Sequence, residues 1–174
     1  MARIPYAQPD TPERKTIAER IVRERGSLLH LYKMLLNSAP VADGWLTYLT
    51  AIRQKCKLHG AIREMVIMRV AFINGASYEA DQHAPIALRE GLSQAQVDAL
   101  HDWESATCFT DEQRAVLAYC DTMTKKIQVP DDIYNAVARF YDAEHMVELT
   151  ATIAAYNMVS RFLEALQVHS HDHH

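Results

Sequence analysis

Residues 61–75 read AIREMVIMRVAFING, and this segment decides the fold class. Apolar side chains would lie on nearly every side of a helix formed by it, and a helix that is apolar all round is normally buried. Gly75 follows as a typical helix end. We therefore predict a buried central helix over about residues 61–74. Its polar interruptions are Arg63, Glu64 and Arg69.

The segments on either side show the same helical spacing of apolar residues. Most exceed ten residues, and no alternating strand-like stretch separates them. Ser93 with Gln96, and Thr110 with Gln113, have the spacing of capping boxes, which begin helices. The sequence therefore predicts an all-α fold, a single bundle of about eight helices joined by short links.

The 174 residues suit one domain with short terminal additions. Residues 1–12 contain three prolines and are predicted to form an extended arm. Residues 13–168 form the predicted helical domain. Residues 169–174 are a histidine-rich tail whose imidazoles could bind nickel or zinc, and which is either native or left from a purification tag.

Composition excludes several classes of function. Eighteen Lys and Arg against 22 Asp and Glu give a net charge of −4, with no basic run, so we expect no nucleic-acid partner. Three cysteines are too few for a disulfide scaffold, and residues 1–10 lack a signal peptide's apolar region, so we expect a cytoplasmic protein. No segment approaches the roughly 18 apolar residues of a membrane span. Without a glycine-rich phosphate loop, we expect no cofactor.

Glu64 and the pair Glu79 and His83 are the candidates for chemistry. Glu64 is either a first-turn carboxylate paired with Arg63 or Arg69, or a buried acid whose pKa desolvation raises. Glu79 and His83 are four residues apart and share a helix face. They are either a surface pair or a carboxylate that orients a histidine for proton transfer. A metal site of these three residues is a further alternative, but we expect no metal.

Five short motifs follow one another in the middle of the chain: Arg63-Glu64, Asn74-Gly75, Tyr78-Glu79, His83-Ala84-Pro85-Ile86-Ala87 and Gly91-Leu92. Their order and spacing resemble the central block of the carboxymuconolactone decarboxylase family, which includes the alkylhydroperoxidase D-like proteins. The stretch over residues 148–162 is also similar to members of that family. The resemblance implies an all-α fold and a homo-oligomer, a trimer or a hexamer.

In the peroxidase branch of that family, two cysteines precede the histidine. The corresponding positions here are Ala76 and Glu79, so both thiols are missing. Peroxide reduction through a disulfide needs a thiolate nucleophile and a resolving thiol. We therefore expect no two-cysteine peroxidase activity. Cys56, Cys108 and Cys120 are expected to be inert, buried helix residues.

The decarboxylase branch implies a cofactor-free lyase that acts on a small carboxylated lactone or a related ring compound. His83 would deliver the proton, oriented by Glu79, with Glu64 as a second proton relay. Substrate-binding residues would be Arg161, Tyr78 and Arg63. Arg161 could instead be a solvated ion-pair residue. The alternatives for the whole chain are a non-catalytic oligomeric binding or structural member, or a peroxidase-related protein that lacks the cysteine pair.

Overall fold

The computed structural model describes residues 1–172 and contains nine α-helices, with no β-strand in that part of the chain. The all-α prediction is confirmed. None of the described helices is both long enough and apolar enough to cross a membrane. The helices are α1 (Pro12–Arg25), α2 (His30–Leu35), α3 (Ala39–Thr50), α4 (Gly60–Asn74), α5 (Ser77–Arg89), α6 (Gln94–Ala99), α7 (Asp111–Lys126), α8 (Asp131–Ala138) and α9 (Ala143–Leu166).

The chain divides into two compact units. The first comprises Met1–Lys55 and Leu163–His174. It contains α1 to α3, a π-helical turn over Ala51–Lys55 and the end of α9. Its core includes three side chains with no exposed surface: Ile21 on α1, Leu36 directly after α2 and Leu46 on α3.

The predicted arm and the described part of the tail, residues 169–172, belong to this first unit. No helix precedes Pro12, and the amide of Arg3 donates to the carbonyl of Leu166 at 2.9 Å. The amide of Ala7 donates to the carbonyl of Lys33 at 3.0 Å. Two residues of the predicted histidine-rich tail, 173 and 174, lie outside the described residues. The division into arm, domain and tail stays a prediction.

The second unit, Cys56–Phe162, is built around α4. This helix packs against α5 and α7. Ten of its 15 residues are buried, among them Met65, Val66 and Ile67 with no exposed surface. The apolar pattern of residues 61–75 therefore does reflect a buried helix, as predicted.

A tight link joins α4 to α5 in the second unit. Gly75 adopts a left-handed conformation with φ of 68°, which a residue with a side chain adopts only at a cost. Its amide donates to the carbonyls of Ala71 and Phe72 in the last turn of α4, and only Ala76 separates it from α5. The two helices therefore form a helical hairpin, which brings the motifs of both segments together. The capping boxes predicted at Ser93 and Thr110 are also present.

Candidate active site

Glu64 and His83 form the centre of the site. Glu64 lies on α4 and has no exposed surface, and His83 lies on α5 and is 6% exposed. Nδ1 of His83 is 2.6 Å from Oε2 of Glu64. Nineteen residues separate the two in the sequence, and the hairpin of α4 and α5 brings them into contact. The structure thus joins two of the predicted catalytic residues directly.

Arg63 holds the other oxygen of Glu64. Its Nε donates to Glu64 Oε1 at 3.0 Å, and its terminal nitrogen lies 3.3 Å from Glu90 Oε1. Glu90 reaches this position across Gly60, where a Cβ atom would collide with its carboxylate. The Arg63 guanidinium is therefore shared between two carboxylates. Its predicted role in substrate binding stays a prediction.

These contacts determine the ionisation of Glu64. Burial alone raises the pKa of Glu64, but the hydrogen bond and charge of His83, with the guanidinium of Arg63, outweigh burial and hold that pKa below its ordinary value. The net pKa of Glu64 is therefore lowered, whereas the alternative of a buried acid predicted a raised pKa; that prediction was wrong because His83 and Arg63 outweigh burial. A carboxylate can only accept hydrogen bonds, so Nδ1 of His83 carries a proton. In neutral His83, Nε2 is then the basic nitrogen.

Glu79 lies in a second buried contact. Its side chain is 2% exposed, and its Oε2 accepts a 2.8 Å hydrogen bond from Oγ of Ser160 on α9, a residue with no exposed surface. Nδ1 of His83 therefore donates its hydrogen bond to Glu64, whereas we predicted Glu79 as the carboxylate that orients His83. The crossing of α4 and α5 is what brings Glu64 to this nitrogen. The predicted role of Glu79 in orienting His83 stays a prediction.

Two residues of α9 contribute to the site without having been predicted as site residues. Tyr156 places its ring edge-on to the His83 ring, with the ring centroids 5.1 Å apart. Ser160 bonds Glu79, as described above. Both lie in the stretch 148–162 that carries the family resemblance, and their spacing of four residues on one helix is the signal that could have identified them.

Other predicted residues lie in different surroundings. Tyr78 is buried, 4% exposed, in the first turn of α5. Arg161 is exposed and bonds the carbonyl and the Oδ1 of Asn157, at 3.0 and 2.7 Å. Asn157 Oδ1 in turn accepts from Asn74 at the end of α4. None of the hydrogen bonds of Arg161 in residues 1–172 reaches Glu64, Glu79 or His83, and its role in substrate binding stays a prediction.

Arg69 was predicted as one possible ion-pair partner of Glu64, but it has a different partner. It forms a bidentate ion pair with Asp121 on α7, both bonds at 2.6 Å. It also donates to the carbonyls of Leu100 and His101. Burial raises the pKa of Asp121, yet Arg69 and Lys125 outweigh burial and lower it. This pair is structural.

The three cysteines are free, and their surroundings differ. Cys120 is buried, and burial raises the pKa of its thiol far above the ordinary value. Cys56 is half-buried, and burial together with Glu148 raises the pKa of its thiol. Cys108 is exposed, so the expectation of burial was wrong for Cys56 and Cys108: both lie in connections between helices.

The described residues 1–172 contain no group of three or more His, Cys, Asp and Glu side chains arranged to hold a metal ion. The alternative of a metal site formed by Glu64, Glu79 and His83 therefore gains no support from their arrangement. What the site does provide is a histidine fixed by a buried, ionised carboxylate, which is suited to transferring protons.

Comparisons with known proteins agree with this architecture. Residues 39–122 match the model of the carboxymuconolactone decarboxylase family. The chain is similar to the protein YdfG of Bacillus subtilis (strain 168), with 27% identity over 115 residues, covering 65% of this chain and 78% of YdfG.

Solved structures show the same fold. The alkylhydroperoxidase AhpD core of a peroxidase-related protein from Ralstonia eutropha JMP134 superposes with a TM-score of 0.83 at 18% identity, covering 98% of this chain and 93% of that one. The debrominase Bmp8, solved with 2,3,4-tribromopyrrole, gives a TM-score of 0.81 at 17% identity, covering 96% and 92%. The predicted resemblance to the carboxymuconolactone decarboxylase and alkylhydroperoxidase D-like family is therefore confirmed by the match over residues 39–122, and the solved structures confirm the fold.

Proposed function

We propose that this chain is a cofactor-free lyase in which His83 transfers a proton to or from a small carboxylated lactone or a related ring compound. The observation that carries the proposal is the 2.6 Å contact between His83 Nδ1 and the fully buried, ionised Glu64. A carboxylate in that position fixes the tautomer of the imidazole and stabilises its protonated form.

The chemistry follows from that arrangement. When a carboxylated unsaturated lactone loses carbon dioxide, the bond to the carboxylate breaks and its electron pair enters the conjugated system as a dienolate-like anion. Protonated His83 delivers a proton from Nε2 to a ring carbon of that anion. His83 becomes neutral, retains Nδ1–H on Glu64, and is reprotonated from solvent. A positioned general acid of this kind contributes roughly a hundredfold to ten-thousandfold in rate.

The environment of the pair supports this role. Arg63 neutralises part of the Glu64 charge from the side away from His83, since it bonds Oε1 whereas His83 bonds Oε2. The ring of Tyr156 packs edge-on against His83 and restricts its rotation. A ring held by a hydrogen bond and by packing is preorganised for proton transfer.

The cysteines favour a reaction that does not use thiols. Thiolates are the reactive form, and the raised pKa values of Cys56 and Cys120 disfavour that form. We therefore propose proton transfer at His83 in place of the disulfide chemistry that the peroxidase branch implies.

The test is the loss of carboxymuconolactone absorbance by wild type, His83→Gln and His145→Gln after chelation of metals. His145 is a matched control, because its Nδ1 also contacts a carboxylate, Asp142, at 2.7 Å, but on the exposed surface. We expect turnover by wild type and His145→Gln, and a loss of about a hundredfold or more in His83→Gln. Equal rates in all three would exclude His83 as the proton carrier, and no turnover by wild type would exclude this lactone as substrate.

A further inference from the structure

A carboxylate at the surface is linked to the buried pair of Glu64 and His83 through Arg63. Glu90 follows the last turn of α5, and its side chain is 40% exposed. Its Oε1 lies 3.3 Å from a terminal nitrogen of Arg63, whose side chain is only 12% exposed. Nε of the same guanidinium donates to Glu64, which in turn accepts from His83. These contacts connect the exposed carboxylate of Glu90 with the buried imidazole.

Gly60 provides the space in which Glu90 reaches this position. A Cβ atom at residue 60 would overlap the carboxylate of Glu90. The φ angle of Gly60 is not positive, so its backbone conformation does not require glycine. Gly60 is also the first residue of α4, where the positive end of the helix dipole favours a negative charge. The missing side chain therefore lets Glu90 lie beside both Arg63 and the start of α4.

The ion pair of Arg63 and Glu90 affects the charge that Glu64 presents to His83. An exposed ion pair contributes little by itself, but this guanidinium also bonds a fully buried carboxylate. Without Glu90, the guanidinium neutralises Glu64 more completely, and less of the Glu64 charge is left to stabilise protonated His83. Loss of the Glu90 charge also destabilises the imidazolium directly, because opposite charges attract. Both effects lower the proton affinity of His83.

Other ionisable groups lie around the two ends of this link. Three helices contribute those around His83: Glu64 of α4, Glu79 of α5 and Tyr156 of α9. At the other end, the charge of Arg63 reaches the thiol of Cys56 and opposes the rise in the pKa of that thiol. A substitution confined to Glu90 keeps all of these groups in the protein. A change in the protonation of His83 then reports on the contact that Glu90 makes.

We propose that Glu90 is a positioning residue for proton transfer at His83: it holds the guanidinium of Arg63 between two carboxylates and so preserves the charge with which Glu64 supports the protonated imidazole. This inference rests on the proposed function, because it concerns the residue that carries the proton there. Glu90 acts through Arg63 and Glu64, and it takes no proton from the substrate.

NMR titration of the His83 ring measures the effect of Glu90 without requiring turnover. The His83 signal is assigned by its loss in His83→Gln. Glu90→Gln removes the charge and keeps the shape of the side chain, and it should lower the pKa of His83 by about 0.2 to 0.7. Asp98→Asn is the matched control, because it removes the same charge from an exposed residue of α6 that bonds Gln94. This control should leave the pKa of His83 unchanged.

Gly60→Ala separates the position of the Glu90 carboxylate from its charge. The added methyl group displaces the flexible end of the Glu90 side chain from Arg63, while the charge stays in the protein. Alanine favours a helix more than glycine does, so the variant keeps the fold, which circular dichroism checks. We expect Gly60→Ala to lower the pKa of His83, as Glu90→Gln does. Glu90→Asp shortens the side chain by one methylene and gives the same test without a change in α4.

Two results of the titration would overturn the proposal. The first is a pKa of His83 that Glu90→Gln leaves unchanged. The second is a decrease in Glu90→Gln that neither Gly60→Ala nor Glu90→Asp reproduces, since the decrease would then reflect the charge of Glu90 and not its contact with Arg63.

Turnover of the lactone distinguishes this proposal from the proposed function. Protonated His83 is the acid, so kcat is lost as the pH rises through the pKa of His83, and the loss should begin at lower pH in Glu90→Gln. Absence of turnover in wild type would exclude the lactone as substrate, and the titration would still decide the role of Glu90. Turnover with an unchanged titration would overturn the role of Glu90 and leave the proposed function in place.

Discussion

Nδ1 of His83 lies 2.6 Å from Oε2 of Glu64, in a contact where both side chains are almost completely removed from solvent. The pair links the middle of α5 to the first turns of α4. Since Glu64 is ionised and can only accept, this contact determines that Nδ1 of His83 carries a proton.

The first prediction concerns the charge of Glu64. Glu64→Gln keeps a side chain of the same size but removes the charge that stabilises protonated His83. We expect kcat to fall about a hundredfold or more, as for other carboxylate–histidine pairs. The control is Glu112→Gln, which alters a carboxylate bonded to Tyr141 on a different part of the second unit. If both variants retain wild-type kcat, Glu64 does not act through its charge.

The second prediction concerns acid stability. The pKa of folded Glu64 lies below the ordinary 4.5 that we assign to the unfolded chain. The carboxylate therefore contributes stability that is fully present above about pH 4.5 and is lost as the pH falls through the lower, folded value. Thermal unfolding between about pH 7 and pH 3 should show a steeper loss of Tm in wild type than in Glu64→Gln. Glu19→Gln, an exposed residue of α1, should follow the wild-type curve.

The third prediction concerns the hydrogen bond from Ser160 to Glu79. Ser160→Ala removes the donor at Glu79 Oε2 inside the core, which should cost about 1–3 kcal/mol of unfolding free energy. Thr152→Val is the control on the same helix, because its buried hydroxyl bonds only the helix carbonyl of Glu148. Urea denaturation should give a loss for Ser160→Ala that exceeds the loss for Thr152→Val. Equal losses would mean that Glu79 does not depend on Ser160.

The fourth prediction concerns the buried ion pair of Arg69 and Asp121. Asp121→Asn leaves the buried Arg69 without its ion-pair partner, which should cost about 3–5 kcal/mol. Arg69→Met should cost less, because Asp121 keeps the half-exposed Lys125 as a countercharge. The double variant should lose much less than the sum of the two, as a double-mutant cycle of unfolding free energies would measure. Additive losses would indicate that the other bonds of each residue dominate, such as those of Arg69 to the carbonyls of Leu100 and His101.

The fold was largely predictable, because the apolar pattern of residues 61–75 and the capping boxes are local signals that tertiary packing did not override. The sequence also allowed the prediction that the candidate residues Glu64, Glu79 and His83 lie close together. Which side chain bonds which could not be predicted. Glu79 and His83 have the spacing of a helical pair, and sequence alone does not reveal that two helix crossings place Glu64 against His83 and Ser160 against Glu79.

The ionisation of Glu64 shows the same limit. Burial was predictable from the apolar surroundings on α4, and burial alone raises a carboxyl pKa. The opposite result depends on two hydrogen bonds, one from the adjacent Arg63 and one from His83 on the next helix. Only the second needs the tertiary structure, and His83 lowers the pKa of Glu64 more than Arg63 does.

The tight link at Gly75 and Ala76 has a consequence for how the site assembles. The two helices that supply Arg63, Glu64 and His83 are consecutive, so the loop that must close is short and its entropic cost is small. Contacts of short sequence separation form early in folding. The proton-transfer pair therefore belongs to a unit that can organise before α9 docks. Substitutions in α9 can therefore change the side chains around the pair. The contact between Glu64 and His83 itself is still set by the crossing of α4 and α5.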